Sequence, residues 1–280
     1  MLSASLLSKA FLTITTLFLA VTTYAEGGID SAVRIVSTVG IKSAVGLDST
    51  AGTDGKVTFV ESQVFGKGSF IQGYELAGGS RFISSGLYQK SYIARVSNDF
   101  KTIEKVRRLP AKIFAEGLTV YNNRVFSLTW RAGLVYVLNK DDLELVGQFH
   151  YKGEGWGLAH SDKYFYMSNG SHQLQKRSLE DFSLQSSFTV QHDGKALSLI
   201  NELEFAQGYI WANTWQSPYI YKIDADSGLV LRRYDLTELV EHHQGGDSNA
   251  VLNGIAYDTK RQAFWITGKT WQAHYLVKLD

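Results

Sequence analysis

The chain contains no cysteine, and only 2 of its 280 residues are proline. Without thiols there are no disulfides, no thiol nucleophile and no thiolate metal site. With proline scarce and 26 glycines present, the turns must come mostly from Gly, Asn, Asp and Ser. A charge excess is missing too, since 28 basic and 27 acidic residues leave a net +1. That balance gives no electrostatic footprint for nucleic acid or an anionic membrane, and neither is expected as a partner. The seven histidines lack the paired spacing zinc needs, so the sequence predicts no metal and no cofactor. Gly268-Lys269-Thr270 lacks the glycine spacing before it and the helix after it that a phosphate loop requires. His242-His243 reads as a solvated pair, and Asn169-Gly170-Ser171 as a glycosylation triplet with meaning only in a eukaryotic secretory route.

One apolar run stands out, Ala10 to Val21, preceded by Lys9 and followed by the small-residue stretch Thr23-Tyr24-Ala25. This three-part layout predicts a secretory signal peptide over 1–25, too short to span a bilayer. Export without cysteine fits a periplasmic or secreted protein held by its core alone. Residues 26–56 are rich in Gly, Ser, Ala, Thr and Asp with little apolar periodicity, which predicts a flexible arm. The remainder, 57–280, is expected to form one domain.

Aromatic residues are abundant, with 15 Tyr, 15 Phe and 6 Trp. Val57 to Phe65 reads as a first strand. Short β-rich runs follow, such as Arg81-Phe82-Ile83-Ser84 and Leu134-Val135-Tyr136-Val137-Leu138, with turn residues between them. The single helical pattern is Asp235 to His243, with Asp235 as its N-cap, ahead of a mobile insertion at Gln244-Gly245-Gly246-Asp247. Five segments align on a shared core: Gln72-Gly73-Tyr74, Glu116-Gly117-Leu118, Trp156-Gly157-Leu158, Asn201-Glu202-Leu203 and Asn253-Gly254-Ile255. Their intervals of 44, 40, 45 and 52 residues match one four-stranded propeller blade. The fold is therefore expected to be all-β, a five-bladed β-propeller. Its first strand should close the ring beside Tyr275-Leu276-Val277-Lys278-Leu279.

Glycine at the second repeat position suits close backbone approach at the axis. The residue before it then points into the central channel. Fourteen residues on stand Gly86, Trp130, Gly170 and Trp215; a longer hairpin moves the fifth equivalent to Lys269. These positions collect Glu116 and Lys269, the amides Gln72, Asn201 and Asn253, and the indoles Trp130, Trp156 and Trp215. Indoles near a carboxylate raise its pKa towards the range that acid/base work needs. Lys269 offers charge for an oxyanion, and Gln72 and Asn201 offer oriented donors. Indole faces also attract an ammonium. The set suits a small substrate carrying an amine and a carbonyl.

At these residues the chain resembles the glutamine cyclotransferases, the plant and bacterial glutaminyl-peptide cyclotransferases. The similarity runs from about Phe70 to the C-terminus. It rests on Phe70-Ile71-Gln72-Gly73, Phe114-Ala115-Glu116-Gly117, Leu128-Thr129-Trp130, Glu154-Gly155-Trp156-Gly157-Leu158, Asn201-Glu202-Leu203-Glu204, Ala212-Asn213-Thr214-Trp215, Leu252-Asn253-Gly254-Ile255 and Thr267-Gly268-Lys269-Thr270-Trp271. The resemblance implies a five-bladed propeller and a metal-independent enzyme, formally an acyltransferase, acting on peptides or proteins with N-terminal glutamine. It implies Glu116 as acid/base, with Gln72, Asn201 and Lys269 as polar partners. Phe70, Phe114, Trp130, Trp156 and Trp215 would form the aromatic pocket. The chain departs from the family with Ile71 in place of Thr, and lacks its Pro-His-Asp stretch upstream. A monomer is expected. The competing classes are a non-catalytic propeller that binds peptides or partner proteins, and a metal-dependent lactonase, which the Trp positions and Lys269 disfavour.

Overall fold

A computed structural model describes residues 54–65 and 68–280. The expected signal peptide and residues 26–53 of the expected arm lie outside the described residues. Five four-stranded antiparallel sheets follow one another along the chain. Blade one comprises Ile71–Ala77, Ser80–Ser85, Tyr92–Ser97 and Ile103–Arg108. Blade two comprises Ala115–Tyr121, Arg124–Thr129, Leu134–Asn139 and Leu145–His150. Blade three is Leu158–His160, Phe165–Met167, Gln173–Arg177 and Leu184–Thr189. A small hairpin, Gln191–His192 with Lys195–Ala196, precedes blade four. Blade four is Ile200–Ala206, Tyr209–Thr214, Tyr219–Asp224 and Val230–Asp235. Blade five is Leu252–Asp258, Ala263–Gly268 and Ala273–Leu279, completed by Val57–Val64.

That last pairing closes the ring, from Val57 opposite Leu279 to Val64 opposite Ala273. It removes the open edge that the first strand and the last blade would otherwise present. The first strand of each blade is innermost, and these five strands contact one another in a closed circle. Three of the repeat glycines lie where they touch. A Cβ on Gly73 would collide with the Leu118 amide, one on Gly117 with the Leu158 amide, and one on Gly157 with the Asn201 carbonyl.

Burial falls from the axis outwards. Ser80–Ser85 is buried throughout, whereas Ile103–Arg108, with four charged residues among its six, is almost wholly exposed. Five apolar clusters fill the five interfaces between blades. Trp211 and Phe264 pack between blades four and five, and Trp265, Ile83 and Leu276 between five and one. Phe126 and Phe165 join blades two and three. Trp211 and Trp265 are fully buried; each removes about 150–250 Å² from water, worth at most ~4–6 kcal/mol. Trp271 is buried as well.

Residues 54–56 are pinned to the propeller. Asp54 takes two bonds from Arg233, at 2.8 and 2.9 Å, and Lys56 exchanges two backbone bonds of 3.0 Å with Asp280. The helix is Thr237–Gln244, with Leu236 and not Asp235 at the N-cap position. Asp235 acts one residue earlier, accepting from the Thr237 amide and hydroxyl at 2.8 and 2.5 Å. Leu239 and Val240 face the core as the pattern predicts. The histidine pair divides: His242 is exposed, but His243 stacks 4.2 Å from the Trp271 ring and shares a proton with the Tyr275 hydroxyl at 2.7 Å. Burial pushes the His243 imidazole down to about 4, so it is a packed neutral ring, not a solvated one.

Candidate active site

In blades one, two, four and five the repeat positions owe their direction to β-bulges. In blade two, Ala115 pairs with Thr129 and Leu118 with Ser127, so Glu116 and Gly117 together face one residue, Leu128. Asn201-Glu202 in blade four and Asn253-Gly254 in blade five do the same, and Gln72 is the extra residue in blade one. A bulge bends the strand and re-aims one side chain, here towards the channel mouth.

The position fourteen residues later returns to the same end through one repeated bond. The amide of Gly86 donates to the Phe70 carbonyl, Trp130 to Phe114, Trp215 to Leu199 and Lys269 to Val251, at 2.8–3.0 Å. In each case the acceptor lies two residues before the bulged side chain. Blade five reaches this bond with a four-residue hairpin between Asp258 and Ala263, where blade two needs only Asn122-Asn123. That accounts for the later position of Lys269. At the two positions held by glycine, aromatic rings occupy the space. A Cβ on Gly86 would strike Phe114, and one on Gly170 would strike Trp156.

All nine side chains expected at the site line one cavity of about 420 Å³: Phe70, Gln72, Phe114, Glu116, Trp130, Trp156, Asn201, Trp215 and Lys269. Phe114 sits edge-on to Phe70 at 6.3 Å and to Trp130 at 5.5 Å, and Trp156 stands perpendicular to Trp215 at 6.1 Å. The polar floor is a directed chain of amides. Asn201 Nδ2 donates to Asn253 Oδ1 at 2.5 Å, and Asn253 Nδ2 to the Ile71 carbonyl at 2.8 Å and Gln72 Oε1 at 3.5 Å. Gln72 Nε2 then donates to Glu116 Oε1 at 3.0 Å. Gln72 thus spends a donor on the carboxylate, and Asn253 is the hub that orients the neighbouring amides.

Glu116 is 5% exposed. Burial pushes its carboxyl well above the usual range; Lys269 pulls it down and Glu154 pushes it further up. Burial lowers the Lys269 ammonium, and the Glu116 charge partly restores it. Lys269 Nζ lies 5.1 Å from the centre of the Phe70 ring. The cavity therefore holds a carboxyl that burial pushes upward, a nearby cation and aromatic walls. Among the described residues, no group of three or more His, Asp or Glu side chains is placed to hold a metal ion.

Sequence reasoning missed Leu87, Arg131, Glu154, Gln216, Ser248, Asn249 and Val251, which also line the cavity. Glu154 lies inside the Glu154-Gly155-Trp156-Gly157 motif and Leu87 inside Ser85-Gly86-Leu87-Tyr88, which also carries the family resemblance, and both could have been found there. Ser248, Asn249 and Val251 belong to the segment after the helix, outside the repeat register.

The glutamine cyclotransferase family profile matches residues 33–279. This chain belongs to the glutamine cyclotransferase family. The match begins well before Phe70, within the stretch that the composition marks as an arm. A glutaminyl-peptide cyclotransferase of Arabidopsis thaliana is 32% identical over 218 residues, covering 75% of this chain and 67% of that relative. The crystal structure of Myxococcus xanthus glutaminyl cyclase aligns with a TM-score of 0.76 at 30% identity, over 81% of this chain and 98% of that chain. No helix among the described residues is long and apolar enough to cross a membrane.

Proposed function

We propose that this protein converts the N-terminal glutamine of peptides or proteins to pyroglutamate with release of ammonia, without a metal ion. Family membership supports the cyclotransferase activity, and the observation that carries the mechanism is a buried Glu116 facing Lys269 across an aromatic cavity. The neutral α-amine nitrogen of the substrate attacks its own γ-carboxamide carbon. A C–N bond forms, and the carbonyl oxygen takes up the negative charge of the tetrahedral intermediate. Glu116 accepts the proton lost by the amine and returns it to the departing amide nitrogen. The C–NH₂ bond then breaks, the carbonyl re-forms, and ammonia leaves.

Because the reaction is intramolecular, much of the acceleration comes from holding the side chain folded with amine and carbonyl in contact. The indoles and phenyl rings enclose it and exclude water. Lys269 stabilises the oxyanion. Gln72 fixes the Glu116 carboxylate, and its own orientation is set through Asn253. The leader expected over 1–25 would place this activity in the periplasm or outside the cell.

The test is mass spectrometry of a Gln-initiated peptide before and after incubation, with ammonia measured in parallel. A loss of one ammonia per peptide, unaffected by chelator, is expected. Binding without mass change would indicate a peptide-binding propeller, and activity lost on chelation would overturn the metal-free mechanism.

A further inference from the structure

Glu154 stands immediately before blade three and holds parts of two blades. Its Oε2 accepts from Trp130 Nε1 at 2.8 Å and from Trp156 Nε1 at 3.1 Å. Its Oε1 accepts from Arg131 Nε at 2.9 Å, and the Arg131 guanidinium carbon lies 3.9 Å from the centre of the Trp130 ring. The backbone reinforces this, with the Gly155 amide donating to the Trp130 carbonyl at 3.0 Å. Gly155 rests on the Tyr151 hydroxyl, where a Cβ would collide. Two of the three indole walls therefore hang from one carboxylate oxygen, and the carboxylate itself lines the cavity.

We propose that Glu154 is the positioning residue of this site: it sets the spacing of the Trp130 and Trp156 walls around the glutamine side chain and keeps a carboxylate at the edge of the cavity that holds Glu116. The proposal rests on the cyclase reading for its substrate, but the wall is a property of the protein alone. Partial burial would by itself raise the Glu154 carboxyl; the donors Trp156, Arg131 and Trp130 outweigh it and hold the group below the usual range. It therefore stays ionised through the neutral range. The charged groups facing Glu116 are then Lys269 from blade five and Glu154 from the blade-three side. Tyr151, pushed up to about 12, stays neutral. Of the two charges, Glu154 is the one that favours the protonated form of Glu116.

Two substitutions separate geometry from charge. Glu154→Gln keeps the length but loses the charge, and Glu154→Asp keeps the charge but cannot reach both indoles. Ammonia release from a Gln-initiated peptide is followed across pH for both variants and the parent. Each variant is expected to raise KM about tenfold, the scale of losing a hydrogen bond to a charged group. In Glu154→Gln the acid limb of kcat moves to lower pH, because Glu116 ionises more easily. In Glu154→Asp that limb stays in place. Near-ultraviolet circular dichroism of the indoles needs no turnover, and its intensity should fall in both variants at unchanged melting temperature. An unchanged KM in both variants, an unmoved limb in Glu154→Gln, or an unchanged indole band each overturns the proposal. If the parent releases no ammonia, the cyclase reading fails instead, and the indole band still decides whether Glu154 holds the wall.

Discussion

The inner strands carry two groups of buried or half-buried carboxyls, and only one opens onto the aromatic cavity. At the mouth is Glu116. Further along the same strands lie Glu75 and Glu204, each three residues past its blade's bulge position, with Glu202 beside them. Burial raises Glu75 to about 7 and pushes Glu202 and Glu204 well above the usual carboxylate range. By pKa alone the second group looks as catalytic as the first. Its surroundings differ. Glu75 accepts from Thr119 Oγ1 at 2.8 Å, the same hydroxyl pairs with His160 Nδ1 at 2.7 Å, and Glu204 accepts from the Tyr257 amide at 3.3 Å. Glu202 Oε1 accepts from the Tyr74 amide at 3.2 Å, and its Oε2 is buried without a hydrogen-bond partner among the described residues. None of these lines the cavity, and among the described residues no lysine acts on them as Lys269 acts on Glu116. A raised pKa marks burial; a cavity, a cation and aromatic walls mark a place for chemistry.

The largest expected effect sharpens that contrast. Glu116→Gln should lower turnover on a Gln-initiated peptide by about 10²–10⁴-fold, the range for loss of a general acid/base. Its melting temperature at pH 7 should equal or exceed that of the parent, because a carboxyl whose charged form burial disfavours is being replaced by a neutral amide of the same shape. Near-parental turnover would remove Glu116 from the mechanism. Lys269→Gln comes next, with kcat reduced about 10²-fold, as for loss of one oxyanion-stabilising group. A change confined to KM would make Lys269 a binding group only.

Glu202→Gln, at the other group, should leave turnover within about threefold of the parent and change stability by only ~1 kcal/mol, read from urea unfolding. A large loss of activity there would break the distinction between the two groups. The smallest effect is a pH dependence. Glu75 keeps its proton in the folded chain up to about pH 7, whereas the unfolded chain releases it earlier. Its contribution to stability is therefore present in acid and lost as pH rises through 7. His160, held down to about 4, acts in the opposite direction on the acid side. The useful measurement is thus the melting-temperature difference between Glu75→Gln and the parent, which should move in favour of the variant from pH 5 to pH 8.

Much of this molecule was legible because the propeller repeats its strand grammar. The two residues that open the repeat unit, as in Glu116-Gly117, Asn201-Glu202 and Asn253-Gly254, are themselves the bulge in three blades, so the repeat count was also a blade count. The fourteen-residue offset was readable because one backbone bond recurs, as from Trp130 to Phe114. Glu154 and Arg131 were not, because their importance lies in reaching sideways to an indole of another blade, which no spacing along the chain encodes. Ser248 and Asn249 come from an insertion outside the register. The histidine pair was misjudged because the Trp271 face that buries His243 is brought there by tertiary packing.

The amino-acid sequence by itself determined five blades, closure by the first strand and the side chains offered at the mouth, since bulges and hairpins are local and repeat. Only the tertiary structure decided that the second group of carboxyls stays away from the cavity, that His243 packs on Trp271, and that Glu154 ties two walls together. Those outcomes depend on distances between blades, where burial and hydrogen bonding are settled by residues far apart in the chain.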